Sequence, residues 1–260
     1  MSKCRSNVSE NIQKTVLITG AARRLGRAIA TDLAAQGFAV HANTSIAEAE
    51  EFANEIRQNG GKAVALQADL TQSSQTAELV TKAQAALGPV GVLVNNASVF
   101  RHDSAAEPDS AAFDAHFAVH VRAPSILAST LVRQLPAENS GLIVNIVDQR
   151  VLSPNPRFYS YTLSKAALWM ATQTMAQSFA PRVRVNAIGP GPSFKSERQR
   201  PEDFQAQIDG LILKRGPAPE EFGRTIRFLF DTPSITGQMI ALDGGQHLSW
   251  ETPDVAEIPE

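Results

Sequence analysis

Short apolar runs alternate along this chain with longer stretches in which apolar positions recur at helical spacing. The short runs are Thr15 to Thr19 (TVLIT), Phe38 to Ala42, Lys62 to Gln67, Gly91 to Asn95 (GVLVN), Leu142 to Val147 (LIVNIV), Val183 to Ala187 (VRVNA) and Gln238 to Leu242 (QMIAL). Nearly continuous apolarity over so few residues is the mark of a strand covered on both faces. In the first helical stretch Ala28, Ile29, Leu33 and Ala34 share a face, closed by Gly37. In the second, Ser45 through Asn59, the shared face is Ile46, Ala49, Phe52, Ala53 and Ile56, ended by Gly60-Gly61. Ser73 to Leu87, Tyr159 to Ala180 (stopped by Pro181), Pro201 to Leu213 and Pro219 to Phe230 also read as helices. Asp109 to Leu135 reads as one long helix or as two joined at Pro124.

Strand and helix alternating in this way imply right-handed crossovers and a parallel sheet. The expected fold is α/β: a single doubly wound domain over 15–245, its parallel sheet of about seven strands carrying helices on both faces. Residues 1–14 are expected to be a disordered N-terminal segment and 246–260 an acidic, Pro-containing tail. Gly189 to Arg200 (GPGPSFKSERQR) is the main irregular insert, and it is expected to begin a substrate lid over about 190–215.

Composition narrows the classes. The chain has 260 residues and a formal charge of −2, enough for a substantial core and with no charge excess to draw nucleic acid or a membrane surface. Its single cysteine, Cys4, excludes an internal disulfide and a cysteine metal cluster, which points to a reducing, cytoplasmic setting. The polar opening MSKCRSNVSE lacks the apolar segment of a signal peptide. No apolar run approaches the ~20 residues of a transmembrane helix. His41, His102, His116 and His247 show no metal-ligand spacing and read as structural or exposed, so no metal is expected.

Candidate chemistry centres on Tyr161 and Lys165, one helical turn apart in Y-T-L-S-K. A phenol ionises near ~10, and an ammonium one turn away is expected to favour the phenolate and lower that value. The pair suits proton exchange with a carbonyl or imine. In a doubly wound sheet ligands lie beyond the carboxyl ends of the strands. The loop after the first strand, T-G-A-A-R-R-L-G, places Gly20 and Gly26 where backbone and a helix N-terminus can approach a pyrophosphate. The second strand ends in HANTS, with no acid to bind ribose hydroxyls. Arg23 and Arg24 therefore suggest a 2′-phosphate, hence NADP, the alternative being two solvated arginines. Asp69 either accepts from an adenine amino group or caps the next helix. Asn95, Asn96 and Ala97 are expected along the cofactor cleft.

T-G-A-A-R-R-L-G (Thr19 to Gly26), Asp69, N-N-A-S (Asn95 to Ser98), Y-T-L-S-K, N-A-I-G-P-G-P-S (Asn186 to Ser193) and T-G-Q-M-I-A-L-D-G-G (Thr236 to Gly245) together resemble the short-chain dehydrogenase/reductase family. The resemblance runs from about Thr15 to Gly245 and implies a Rossmann domain and an NADP(H) cofactor. It implies cofactor contacts from Gly20, Arg23, Arg24, Leu25, Gly26, Asn43, Thr44, Ser45, Asp69, Leu70, Asn95, Ala97, Ser98, Tyr161, Lys165, Pro190, Gly191 and Ser193. Four details resemble the pteridine reductases and the dihydromonapterin or dihydrofolate reductase-like members: Arg24 in place of a glycine, Ser98 after Asn-Asn-Ala, Phe100 two residues on, and Asp148 where most of the family has a catalytic serine. The implied catalytic set is Asp148, Tyr161 and Lys165. The implied substrate contacts are Arg24, Ser98, Phe100 (stacking on a flat ring), Asp148 and Tyr161. Read from position alone, Asp148 could instead cap a turn or pair with Arg150.

Two departures stand out. F-A-V-H-V-R-A-P puts His120 where the family carries an Asn that holds a water beside the lysine; His120 either substitutes in that relay or breaks it. Thr44 replaces an arginine found near the 2′-phosphate in pteridine reductases. The resemblance further implies a small-molecule substrate and a homotetramer or homodimer packed through Asp109 to Leu135 and Tyr159 to Ala180. Two alternatives stay open: a carbonyl reductase such as a 3-oxoacyl carrier-protein reductase, and a non-catalytic NADP-binding regulatory module.

Overall fold

The structure, a computed structural model, describes residues 12–35, 39–43, 46–195 and 199–250. Seven strands form one parallel sheet: β1 (Thr15–Thr19), β2 (Ala39–Asn43), β3 (Ala63–Leu66), β4 (Val90–Asn95), β5 (Gly141–Ile146), β6 (Val183–Pro190) and β7 (Met239–Leu242). Their order is β3-β2-β1-β4-β5-β6-β7. The chain moves outward from β1 to β3 and then returns to lay β4 on the other side of β1. That reversal opens a crevice beyond the carboxyl ends of β1 and β4, the usual ligand position in such sheets.

Period-two alternation explains the two-sided core. Val16 and Ile18 of β1 pack with Ile29, Phe52 and Phe222, from α1 (Arg24–Ala35), α2 (Ile46–Gln58) and α8 (Pro219–Asp231). Leu17, between them, packs on the opposite face with Leu79 of α3 (Ser73–Leu87) and Leu127 and Leu131 of α5 (Ala123–Gln134). Leu17 is fully buried, so truncation to alanine would cost about 2–5 kcal/mol. Among the described residues no helix is long and apolar enough to cross a membrane.

Three boundaries differ from the sequence reading by more than one residue. The stretch around Pro124 is neither one helix nor two joined at the proline. α4 (Ser110–Phe117) runs into a single π turn (Ala118–Arg122), and α5 starts at Ala123. Pro124 has no N–H to return to the carbonyl of His120, and the Ala123 N–H reaches back five residues to Ala118 O. Second, β6 continues through Gly189 and Pro190, which pair with Ala241 and Leu242 of β7, so the irregular insert begins at Gly191. Third, α7 (Pro201–Asp209) stops at Gly210 instead of reaching Leu213. The remaining long helix, α6, covers Tyr159–Phe179. Gly37, the 1–11 segment and the tail from residue 251 lie outside the described residues.

Candidate active site

The crevice holds a cavity of about 560 Å³, and four loops line it. The first joins β1 to α1. Gly20 stands there at φ +66°, and a Cβ on it would come within 3.0 Å of Ala97 Cα. A Cβ on Gly26 would sit 2.2 Å from Gly20 O and 2.5 Å from Asn96 Nδ2. Only glycine permits this close turn, which leaves the first N–H groups of α1 facing the cavity. Arg24 opens α1 at φ 49°, a left-handed conformation that costs a non-glycine residue about 1 kcal/mol. Its Nη2 donates across the cleft to Phe194 O at 3.2 Å. Arg23, also lining the cavity, is ion-paired with exposed Glu48. Leu25 completes this wall.

Beyond β4, Ala97, Ser98 and Phe100 line the cavity, as do Pro190, Gly191 and Ser193 beyond β6. Asn96 belongs with them: its Nδ2 donates to Thr19 O at 2.9 Å and Gly20 O at 3.1 Å, tying the two loops together. Asn95, expected on the cleft, is buried beneath it. As the last residue of β4 it points into the sheet interior, where its Nδ2 donates to Asn145 Oδ1 at 2.8 Å. Leu70 likewise lies in the core with Leu79 and not on the cavity. Asp69 is exposed and caps no helix, since Gln72 is the N-cap of α3. Its Oδ1 instead accepts from Thr71 Oγ1 at 2.7 Å and Thr71 N at 2.9 Å, which lowers its pKa. The backbone of Asn43 ends β2 beside Thr19 and Leu66; Thr44 and Ser45 lie outside the described residues.

The opposite wall carries the titratable groups. Tyr161 is 7% exposed, and its hydroxyl donates to Asp148 Oδ2 at 2.8 Å. Asp148 Oδ1 accepts from Arg150 N at 2.9 Å. The carboxylate thus caps the short turn after β5 with one oxygen and holds the tyrosine with the other, so the turn-cap and functional readings of Asp148 coexist. Lys165 is buried, with Nζ donating to Ile146 O at 2.8 Å and lying 5.7 Å from the Tyr161 ring centre.

The expected lowering of the Tyr161 pKa by Lys165 does not hold. Burial pushes the phenol well above 10, and the Asp148 carboxylate pushes it further, with Arg150 and a hydrogen bond from Ser98 opposing. Lysine at this spacing reaches the strand carbonyl rather than the phenol oxygen, while the group in contact with that oxygen is anionic. Burial also brings Lys165 down from 10.5 to about 8, against the pull of Asp148.

Sequence reasoning missed the cavity-lining Arg150 and Gln207, and Phe158, which packs behind the expected Phe100. Phe100 is 44% exposed and stacks on Phe158 at 4.1 Å between ring centres, with its edge towards Tyr161 at 4.7 Å. Phe158 is the N-cap of α6 and stands at φ 59°, a strained backbone kept where its ring backs the cavity-lining Phe100. Arg150 lies over both phenylalanines, at 5.6 and 5.3 Å. Gln207 of α7 reaches the cavity from the expected lid region. Beneath the loop of Ser98 lie His116 and His120, both buried and bonded to serines of α6 at 2.8 Å. Their contacts with residues 44 positions away leave no local signal in the sequence.

Residues 14–203 match the family model described as short chain dehydrogenase. Among solved structures, the chain is similar to FolM alternative dihydrofolate reductase 1 from Brucella canis, complexed with NADP, at a TM-score of 0.91 and 54% identity, covering 95% of this chain and 99% of that one. It is 28% identical over 243 residues to dihydromonapterin reductase of Klebsiella pneumoniae, covering 93% and 100% of the two chains. It is also 31% identical over 238 residues to 3-oxoacyl-[acyl-carrier-protein] reductase of Synechocystis, covering 89% and 96%.

Proposed function

The chain belongs to the short-chain dehydrogenase/reductase family, and from that premise we propose that it reduces the C=N bond of a dihydropterin-type substrate with NADPH. Membership makes it an oxidoreductase and sets aside the binding-only alternative. The observation that carries the substrate reading is the Tyr161–Asp148 hydrogen bond, 2.8 Å long, beside the exposed ring of Phe100. A carboxylate at this position accepts N–H groups that a carbonyl substrate lacks, and the phenylalanine offers a face for a flat ring.

The residues present fit NADP. The Gly20–Gly26 turn leaves no room for a Cβ, so backbone and the α1 N-terminus can approach a pyrophosphate. Arg23 and Arg24 lie in that turn and hold, among their contacts, an exposed carboxylate and a carbonyl at 3.2 Å, which a 2′-phosphate could replace. When bound, the dihydronicotinamide supplies the hydride. Tyr161 would hand its proton to the substrate nitrogen. Its raised pKa keeps the phenol protonated throughout the neutral range but makes it a weak acid, so the transfer is driven by the negative charge that hydride addition places on that nitrogen. Asp148 holds the hydroxyl in place, and Lys165 contributes positive charge behind the ring. The same reading has Gln207 closing from the lid side and copies of the chain assembling through α4, α5 and α6, the last of which exposes Leu163 and Met170.

The 31% identical 3-oxoacyl carrier-protein reductase favours a second reading, a carbonyl reductase, which Asp148 disfavours because a carboxylate repels a carbonyl oxygen. NADPH oxidation with dihydrobiopterin, dihydromonapterin and an acetoacetyl thioester side by side separates the two. Pterin turnover with little on the thioester is expected, and thioester turnover alone would overturn the pterin reading. Titration should give tighter binding of NADPH than NADH; equal affinities would remove the argument from Arg23 and Arg24.

A further inference from the structure

Beneath Tyr161 two buried imidazoles repeat one arrangement. His116 and His120 stack with centroids 5.6 Å apart and planes 15° apart. Through Nδ1, His116 bonds Ser160 Oγ and His120 bonds Ser164 Oγ, each at 2.8 Å. At Nε2 each meets a backbone N–H of the loop after β4, from Arg101 at 3.1 Å and Val99 at 3.2 Å. A backbone N–H only donates, so both Nε2 atoms are acceptors and the ring hydrogens sit on Nδ1. Ser164 accepts from His120 and spends its own hydrogen on Tyr161 O at 2.7 Å. The chain of bonds therefore has one direction. Burial, with the Lys165 charge nearby, holds the His120 pKa far below the ordinary 6.5, so the ring stays neutral.

The consequence falls on Ser98. Its Oγ lies 2.9 Å from the same His120 Nε2. With no hydrogen on that nitrogen, the serine hydroxyl is the donor to it; the Val99 carbonyl at a longer 3.3 Å and the Tyr161 oxygen are its competing acceptors. Lone pairs are what Ser98 has left to offer the cavity it lines. Across from it, Tyr161 has given its hydrogen to Asp148. His116, one rung away, pins Arg101, so Phe100 sits between two anchored amides with its ring on the cavity.

We propose that His120 is a positioning residue that turns the Ser98 hydroxyl into a hydrogen-bond acceptor for the substrate, so that the cleft selects a ring bearing N–H groups over a substrate bearing only a carbonyl oxygen. This rests on the pterin reading above and adds the device that enforces it. An asparagine at 120 would not enforce it, because an amide can donate to Ser98 as readily as it can accept.

A double-mutant cycle tests this on the full chain. Ser98→Ala should lower kcat/KM for dihydrobiopterin roughly 10-fold, the effect of one lost hydrogen bond. Its effect on the rate with acetoacetyl thioester should be several-fold smaller than its effect on the pterin rate. His120→Asn should give a similarly selective loss, and adding it to Ser98→Ala should cost nothing more. Additive losses, or equal losses on both substrates, would overturn the proposal. Should His120→Asn fail to fold, Ser98→Ala alone still decides: no selective loss on the pterin contradicts the role of Ser98 as acceptor. A wild type that reduces no pterin sinks this inference together with the pterin reading; pterin turnover with an additive cycle sinks the inference alone.

Discussion

The two walls of the cleft are made differently. The wall beyond β1 is backbone and exposed side chains: a glycine turn, a helix N-terminus, and two arginines whose partners sit at the surface. The wall beyond β5 is a buried polar assembly in which Tyr161, Asp148, Lys165, Ser164 and the two histidines each have a hydrogen-bond partner. An exposed wall can exchange its partners for a ligand's phosphates at little cost, since surface ion pairs contribute about 0–1 kcal/mol. These groups of the buried wall are committed before any ligand arrives, because unpairing one there would cost about 1–3 kcal/mol. Among the described residues, Gln149 Oε1 and Arg150 Nη1, on residues that line the cavity, are the buried atoms there without a hydrogen-bond partner. The first wall should govern affinity and the second chemistry.

Tyr161→Phe gives the largest separation. It should reduce turnover by roughly 10²–10⁴-fold, the usual contribution of a positioned acid, while NADPH binding measured by titration stays the same; weakened binding would mean that the walls are not separable. Gly26→Ala should do the reverse. Its Cβ would press on Gly20 O at 2.2 Å, and the resulting shift of the α1 N-terminus should raise the NADPH Kd by more than about 10-fold and cost about 1–3 kcal/mol of stability, with kcat at saturating cofactor nearly retained.

Lys165 belongs to the buried wall, and its burial has a price in stability. The fall from 10.5 to about 8 corresponds to about 3 kcal/mol given up at pH 7. Lys165→Met should therefore raise Tm by several degrees while abolishing turnover. In the wild type, stability should increase as pH rises from about 8 towards 10.5. In that window the folded chain has shed this proton and the unfolded chain has not. Thermal melts across the window check the sign. Arg24→Gly has the smallest expected effect. It relieves φ 49°, stabilising by up to about 1 kcal/mol, and should narrow the preference for NADPH over NADH without changing kcat.

The same division explains what could be read from the chain. β1, β4 and β5 were legible because a strand buried on both faces leaves an unbroken apolar run, and the first wall because glycine spacing is itself the geometry. Tyr161 and Lys165 were legible as a pair through their shared helix face, but the direction of the Tyr161 shift was not. Spacing says nothing about burial or about which partner reaches the oxygen. The π turn at His120 follows from Pro124 once the missing N–H is counted, yet helical periodicity runs straight through it. Asn95 was misplaced by one position in the alternation, which is enough to exchange cleft for core. Phe158 and Arg150 join Phe100 only through tertiary contact.

Asp148→Ser, compared with wild type on dihydrobiopterin and on acetoacetyl thioester, is the most direct test of the account. On the proposed pterin reading, the carboxylate couples Tyr161 to an N–H-bearing ring. The ratio of pterin to thioester turnover should therefore collapse by roughly 10²-fold or more, with NADPH affinity retained. An unchanged ratio, with pterin still reduced by the serine variant, would contradict it and leave Asp148 as a turn cap beside an ordinary carbonyl reductase site.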